Sequence, residues 1–389
     1  MTTTDEIRIL PNHDGGENTR IELLIDGTPV SWCWIVPMTL RIGRAVVRMD
    51  GIGGVGTGET KRNRGYSSRV LVAAVEEMKR GDAPLTTLYG IPDYYPRWGY
   101  ATIGHEGDHR LVRLDADNVL PEGFSWRFAT PADLPGIRAL YDEQAPLATG
   151  AAVRGPATPS STQLAKSVET DDKSCVVVID DRDDVVAYAW MAGYIWWMER
   201  VAKPRDPDAL LIGEAFADGS VAADALLAAL KQWATELEKP HVAIHQPPIG
   251  DLGLAARLQD VEFHGRSFRA AQFMGRSTGI GGLMTALAPE LSARWLGSRS
   301  PWTGSLLIRT PEDEVLLGID RGGVRVLDDL AGSDATLIEL TVGDVARLAF
   351  GAFPPRDLLA RLGISDDVAD VLAHLFPEGH PYIYPADRF

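Results

Sequence analysis

The sequence predicts an α/β protein, α+β in its individual units, built around more than one core. Three observations lead there. A chain of 389 residues is longer than one hydrophobic core ordinarily organises, so two or three domains are expected. One order of elements, from strand hairpin through glycine loop and helix to a further strand, occupies residues 20–101 and recurs in the stretch that opens near Phe124. From about Met274 the pattern changes to a β-meander followed by helices. The predicted units are 1–123, 124–273 and 274–389.

In the first unit, RIELLIDGTPVSWCWIVPMTLRIG alternates in short apolar runs, with Asp26-Gly27 as the hairpin turn. RAVVRMDGIGGVG reads as the next strand, loosened at its end by glycines. Tyr66, Val70, Ala74 and Met78 recur at helical spacing, with Lys79 and Arg80 in the last turn and Gly81 as the stop. TTLYGI is a strand and YYPRWGYA an aromatic turn. The second unit has a capped amphipathic helix in ATPADLPGIRALYDE, a hairpin in SCVVVIDDRDDVVAYAWMAG, and a strand and helix in DALLIGEAFADGSVAADALLAALKQWATEL. Between Gly213 and that helix stand Glu214, Asp218 and Gly219. An acidic loop repels phosphate, so one site per chain is expected. In the third unit, ATLIELTVGDVARLAFGAFPPRDLLARLGI reads as a strand and two helices broken at Pro354-Pro355. The tail carries Phe376, Tyr382, Ile383, Tyr384 and Phe389, so it has apolar groups to dock.

Composition narrows the function. Hydrophobic content of 45% and charged content of 24% are those of a soluble globular protein. No apolar run approaches the roughly 18 residues of a membrane span. The start, MTTTDEIRIL, has no basic-then-apolar leader, so a cytoplasmic location is expected. Cys33 and Cys175 are expected as buried thiols, and no Cys/His spacing fits a metal. A net charge of −16 disfavours a nucleic-acid partner and fits a cationic small molecule or peptide, although it also serves solubility. The histidines, including His245, His264 and His374, read as core or surface residues.

The stretch DGIGGVGTGETKRNRGYSS, residues 50–68, admits three phosphate-binding readings. Gly51 to Gly56 satisfies G-x-G-x-x-G, but Glu59 to Arg64 separate the glycines from the helix whose N–H groups should meet a pyrophosphate. GGVGTGET is one residue from a P-loop, with Glu59 in place of its lysine. The third reading uses Arg62-Asn63-Arg64-Gly65-Tyr66-Ser67 at the strand-to-helix junction. Gly65 lets backbone approach a phosphate, the free N–H groups of Asn63 to Ser67 face an anion, and Arg62 and Arg64 add charge.

VGTGETKRNRGYSSRVL followed by YYPRWGYA resembles the GNAT superfamily of coenzyme A-dependent N-acyltransferases. Across its length the chain resembles the enhanced intracellular survival (Eis) acetyltransferases, which combine a GNAT domain, a degenerate second GNAT domain and a sterol-carrier-protein-like domain. The resemblance implies that Arg62 to Ser67 hold the pyrophosphate of acetyl-CoA. It implies that the N–H groups of Val55 and Thr57, on a splayed strand, bind pantetheine and the thioester oxygen. It places the general acid on Tyr95, with Tyr94 beside it as the fallback. It makes the terminal carboxylate of Phe389 the acceptor of the amine proton, where the residues alone allow a docked structural tail. Acetyl-CoA is then the cosubstrate, with no metal, and a homo-oligomer, hexameric in that family, is implied.

The pattern also departs from the superfamily. Ser67 replaces a glycine or alanine, Glu59 stands where proline is common, and IRILPNHDGGENTRIELL leaves no room for the two helices that usually wall the acceptor site. The expected reaction is acetyl transfer from acetyl-CoA to a primary amine of a cationic acceptor, either a small molecule or a peptide lysine. The alternatives are another acyl donor, or a coenzyme A- or lipid-binding protein without transferase activity.

Overall fold

The computed structural model describes all residues except 1–3, 12–16, 105, 112–118, 193–207, 260, 267–271 and 329–334. Gly193, the end of the expected second hairpin, and part of the N-terminal link therefore lie outside the described residues. The described residues group into two compact units. One comprises 1–104, 269–381 and Phe389; the other comprises 105–268 and 382–388.

The first unit begins with strands β1 (Asp5–Pro11), β2 (Thr19–Ile25), β3 (Thr28–Ile42) and β4 (Ala45–Thr57), then helix α1 (Tyr66–Arg80) and strands β5 (Leu85–Gly90) and β6 (Ala101–Gly104). β1 to β4 form successive antiparallel pairs. Asp26 and Gly27 both take positive φ, as a two-residue hairpin turn demands. β1 runs back along β2, joined to it by residues 12–18 alone, so two helices have no room there. α1 buries Val70, Leu71, Ala74, Val75 and Met78. The expected i, i+4 stripe is present and is widened by its neighbours. It packs on a face to which β2 gives Ile21 and Leu23, β3 Cys33 and Ile35, β4 Ile52 and β5 Leu88.

Asp50, on β4, is half-buried. Burial pushes its carboxyl up to about 6; Arg48 opposes the shift and Asp82 adds to it. The folded pKa lies above the unfolded one, so the stabilising difference is complete below about pH 4 and is lost as pH rises towards 6. Asp50→Asn should therefore raise the melting temperature at pH 7 and leave it almost unchanged at pH 3.5, as calorimetry at the two pH values would show.

The second unit contains β7 (Glu106–Leu111), β8 (Ser125–Phe128), α2 (Leu134–Gln144), α3 (Pro159–Glu169), β9 (Cys175–Ile179), β10 (Val185–Trp190), β11 (Ala209–Ile212), β12 (Glu214–Ala217), α4 (Ser220–Glu236), β13 (His241–Ile244), α5 (Gly250–Leu258) and β14 (Glu262–Arg266). The single strand expected in DALLIGEAFA divides at Gly213. Its first half pairs parallel with β13 and its second half antiparallel with β10, so two four-stranded sheets diverge there. Glu214 does not stand in an exposed acidic loop. It is fully buried in β12, where both guanidinium Nη atoms of Arg154 donate to it at 2.9 and 2.5 Å and the Tyr188 hydroxyl donates at 2.7 Å. At the start of α4 Asp251 accepts the Gly219 N–H at 3.2 Å, and Asp218 stands exposed before the same glycine. The tail joins this unit through Asp387, which receives Arg154 Nη2 at 2.8 Å, and through Tyr382, whose hydroxyl donates to the His245 carbonyl at 2.5 Å.

The chain then returns to the first unit with β15 (Gln272–Ser277), α6 (Ile280–Ser298), β16 (Gly304–Arg309), β17 (Glu314–Asp320), β18 (Gly323–Leu327), β19 (Ala335–Glu339), α7 (Val342–Phe350), α8 (Pro355–Arg361) and α9 (Asp366–Leu375). β15 inserts between β5 and β6, antiparallel to both, and completes a seven-stranded sheet in the order β1-β2-β3-β4-β5-β15-β6. The meander forms a second sheet in the order β18-β17-β16-β19. The helix break expected at Pro354-Pro355 opens earlier, at Gly351, and runs to Pro354. Gly351 caps α7 at φ +63°, and a Cβ there would stand 2.4 Å from the Gly379 nitrogen. Pro355 then opens α8.

Candidate active site

β4 and β5 part company in the middle of the sheet. They pair in parallel only from Met49/Leu85 to Ile52/Leu88, whereas β4 follows β3 as far as Thr57. Beyond Ile52 one edge of β4 is therefore open towards β5. The Gly58 N–H donates to Val30 at 3.0 Å, so by the alternation of an antiparallel ladder the Thr57 N–H turns to the open edge. Val55 lies in a bulge, with Gly54 and Val55 opposite Cys33, and Gly54 takes φ +57°.

The glycines loosen this strand at the bulge without ending it. Two of them make room. A Cβ on Gly51 would stand 2.4 Å from the Phe389 ring, and one on Gly53 would stand 3.3 Å from the terminal carbonyl carbon. These two residues share a strand face, and Phe389 lies along it with its ring over Gly51 and its carboxylate by Gly53. Tyr89 flanks the ring at 6.4 Å between centroids. Phe389 thus sits where β4 and β5 separate.

Tyr95 approaches from the other face. YYPRWGYA forms a short 3-10 turn, Tyr95–Trp98, closed by Gly99 at φ +79°. The Tyr95 ring packs on Gly90, where a Cβ would stand 2.4 Å from it, and joins the cluster beneath α1. Side-chain alternation along β5 places Leu88 and Gly90 towards α1 and Tyr89 towards Phe389. Tyr95 and Phe389 therefore flank the strand gap from opposite faces. Burial pushes the Tyr95 phenol up to about 12, aided by Tyr94 and Cys33, so it keeps its proton at neutral pH. The buried Cys33 thiol is also pushed up to about 12 by burial, which makes it inert rather than nucleophilic; Cys175 is likewise a buried free thiol.

The basic loop lies at the same end of β4. Asn63 and Gly65 take φ +59° and +74°, and Gly65 caps α1. No side chain caps this helix and no acid occupies its first turn, so its N–H groups stay available to an anion. Arg62 and Arg64 are exposed, and neither has an ion-pair partner among the described residues. Ser67 Oγ and the Tyr94 hydroxyl lie 2.6 Å apart, which ties the loop to the aromatic turn. Tyr66 packs sideways against the core beneath α1. Gly65→Ala meets no atom within 4 Å but keeps a left-handed φ. It should cost roughly 1 kcal/mol of stability, as denaturant unfolding would check.

The three histidines singled out in the sequence take core or surface positions. His245 is buried in the second unit, His264 pairs with Glu262 at 2.9 Å, and His374 stacks edge-on to Trp295. Among the described residues no His, Cys, Asp or Glu cluster is arranged to hold a metal, and no helix is long and apolar enough to cross a membrane.

Residues 17–103 match the family of acetyltransferase (GNAT) domains. The fold is shared with a GCN5-related N-acetyltransferase from Kribbella flavida, at 19% identity and TM-score 0.68 over 97% of this chain and 88% of that one. A GCN5-related N-acetyltransferase from Anabaena variabilis ATCC 29413 aligns at 18% identity and TM-score 0.70 over 95% and 89%. Eis1 from Mycobacterium abscessus aligns at 15% identity and TM-score 0.63 over 99% and 100%. A search of curated protein sequences found no match. The class that this domain defines, over residues 17–103, is that of the GNAT acetyltransferases. The likeness in fold to Eis1 extends over the whole of that chain.

Proposed function

We propose that the protein transfers an acetyl group from acetyl-CoA directly to a primary amine of a cationic acceptor. The observation that carries this reading is the terminal carboxylate of Phe389 beside Gly53, at the mouth of the gap between β4 and β5. A thioester lying in that gap has its carbonyl near the open edge of β4, where the N–H groups of Val55 and Thr57 stabilise the developing oxyanion. The pyrophosphate rests on Arg62, Asn63, Arg64, Gly65, Tyr66 and Ser67, held by backbone N–H groups and guanidinium charge. The Phe389 carboxylate takes the amine proton as the nitrogen–carbon bond forms. The carbon–sulfur bond breaks, and the Tyr95 phenol protonates the departing sulfur. Acid and base on opposite faces of the gap fit a reaction in which one proton enters as another leaves.

The net charge of −16 supports a cationic acceptor. Where superfamily members carry two helices, this chain has the direct β1–β2 ladder, so the acceptor side is open to a bulky amine such as a peptide lysine or a large natural product. The resemblance of residues 274–389 to a sterol-carrier-protein-like module, the homo-oligomer and the cytoplasmic location belong to the same reading. The test is a panel of amines with acetyl-CoA and, in parallel, longer acyl-CoAs, read by free thiol and product mass. Thiol release with a basic peptide in excess of a small diamine supports the proposal. Equal turnover of the two overturns the bulky acceptor, and absence of thiol with every amine overturns the transferase.

A further inference from the structure

The turn that carries Tyr95 is held by a buried arginine that no motif contains. Arg276 on β15 is 2% exposed, and its three nitrogens point three ways. Nε donates to the Ser277 carbonyl at 3.1 Å, Nη1 to the Trp98 carbonyl at 2.5 Å and Nη2 to Glu312 Oε2 at 2.5 Å. Trp98 ends the 3-10 turn that Tyr95 begins, so the guanidinium sits on the negative end of that turn. Glu312 belongs to the β16–β17 turn. It also receives Lys79 Nζ, from the last turn of α1, at 3.1 Å. Burial alone would raise the Glu312 carboxyl, but Arg276 and Lys79 hold it below its ordinary value. The neighbouring Asp313 accepts the Ile280 N–H at the start of α6 at 2.6 Å, which fixes this turn in its place. From the far side α7 presses on the same segment. A Cβ on Gly99 would stand 2.6 Å from Val342, and one on Gly343 would stand 2.9 Å from the Gly99 carbonyl.

We infer that Arg276 and Glu312 are positioning residues for acyl transfer: through the Trp98 carbonyl they set where the Tyr95 phenol stands in the strand gap. The C-terminal segment is then part of the catalytic apparatus, and its β16–β17 turn governs rate rather than cofactor affinity. The physical reason is that a phenol fixed by packing at one end of a short turn moves when the other end is released. A shift of the order of 1 Å in a reacting group lowers rate by about a hundredfold. The Ser67–Tyr94 contact pins the turn from the cofactor side, and Arg276 pins it from the other.

This inference rests on Tyr95 as the general acid, and the experiment separates the two. Arg276→Lys and Glu312→Gln are assayed in the full-length protein, alone and with Tyr95→Phe. The readouts are kcat, KM for acetyl-CoA and thermal midpoint. Arg276→Lys keeps the charge but cannot fork between the Trp98 carbonyl and Glu312, so kcat should fall by on the order of a hundredfold. Glu312→Gln should lower kcat by about tenfold, with KM for acetyl-CoA within about twofold of wild type. Both losses should vanish in the Tyr95→Phe background, because a mispositioned phenol matters only when its proton is used. Unchanged kcat in the single variants, or losses that persist undiminished beside Tyr95→Phe, would overturn the inference. If Arg276→Lys does not fold, the partly exposed Glu312→Gln decides alone by the same two criteria. Full activity of Tyr95→Phe by itself overturns the acid assignment instead.

Discussion

Deleting Phe389 should lower kcat by roughly 10²–10⁴-fold, the range that a positioned general base supplies, while acetyl-CoA affinity stays nearly unchanged. The deletion moves the terminal carboxylate back to Arg388, off the glycine face it now occupies. Gly51→Val should produce the same phenotype in the full-length chain. Its Cβ would stand 2.4 Å from the Phe389 ring, so the ring has to leave and the carboxylate goes with it. Gly27→Ala serves as the control, since it strains a positive φ in the remote hairpin turn and touches nothing within 4 Å. Steady-state kinetics paired with calorimetric titration of acetyl-CoA would resolve the split. Full kcat in both Phe389 deletion and Gly51→Val would mean that the tail is docked for structure alone.

Arg154→Met should destabilise the second unit by about 3–5 kcal/mol, because it leaves Glu214 and Asp387 buried without their counter-charge. The Arg154 guanidinium lies over the Tyr141 ring at 3.6 Å. Burial would pull its pKa down, but the two carboxylates drive it well above the ordinary arginine range. Its removal therefore unpairs three elements of the unit together: β12 through Glu214, the segment after α2, and the tail through Asp387. Asp387→Asn should cost less, since Glu214 still holds the guanidinium in a bidentate pair. Denaturant unfolding would supply the two values, and trimming by a carboxypeptidase would report on the tail. Accelerated trimming in Arg154→Met is expected. Only Arg388 separates Asp387 from Phe389, so loss of activity should accompany it.

Much of the site could be read along the chain because its parts are local. The strand-to-helix loop Arg62 to Ser67 needs only its own glycine and the helix behind it, and α1 announces itself by Val70, Ala74 and Met78 at helical spacing. Tyr95 sits in a run of aromatics whose order alone draws attention. Other parts carried no local mark. Arg154 and Arg276 look like any exposed arginine in sequence, and each is buried only because partners from distant segments converge on it. Glu214 was read as part of a repelling loop because the strand containing it divides at Gly213, where two sheets diverge. The break before α8 ends at the prolines that mark it in sequence, but its opening at Gly351, on which residues 377–379 press closely, carried no such mark.

Local chemistry, then, accounts for much of the chain's order of strands and helices, its basic glycine loop and its aromatic turn. These depend on residues within a few positions of one another, where backbone preference and periodicity act directly. The meaning of GIGGVG came from elsewhere. Gly51 and Gly53 are small because the last residue of the chain lies on them, more than three hundred positions away in sequence. The pairing of β15 with β5 and β6 is of the same kind. Contacts between distant segments form only when folding offsets the entropy of closing long loops, and no pattern within either segment records its partner.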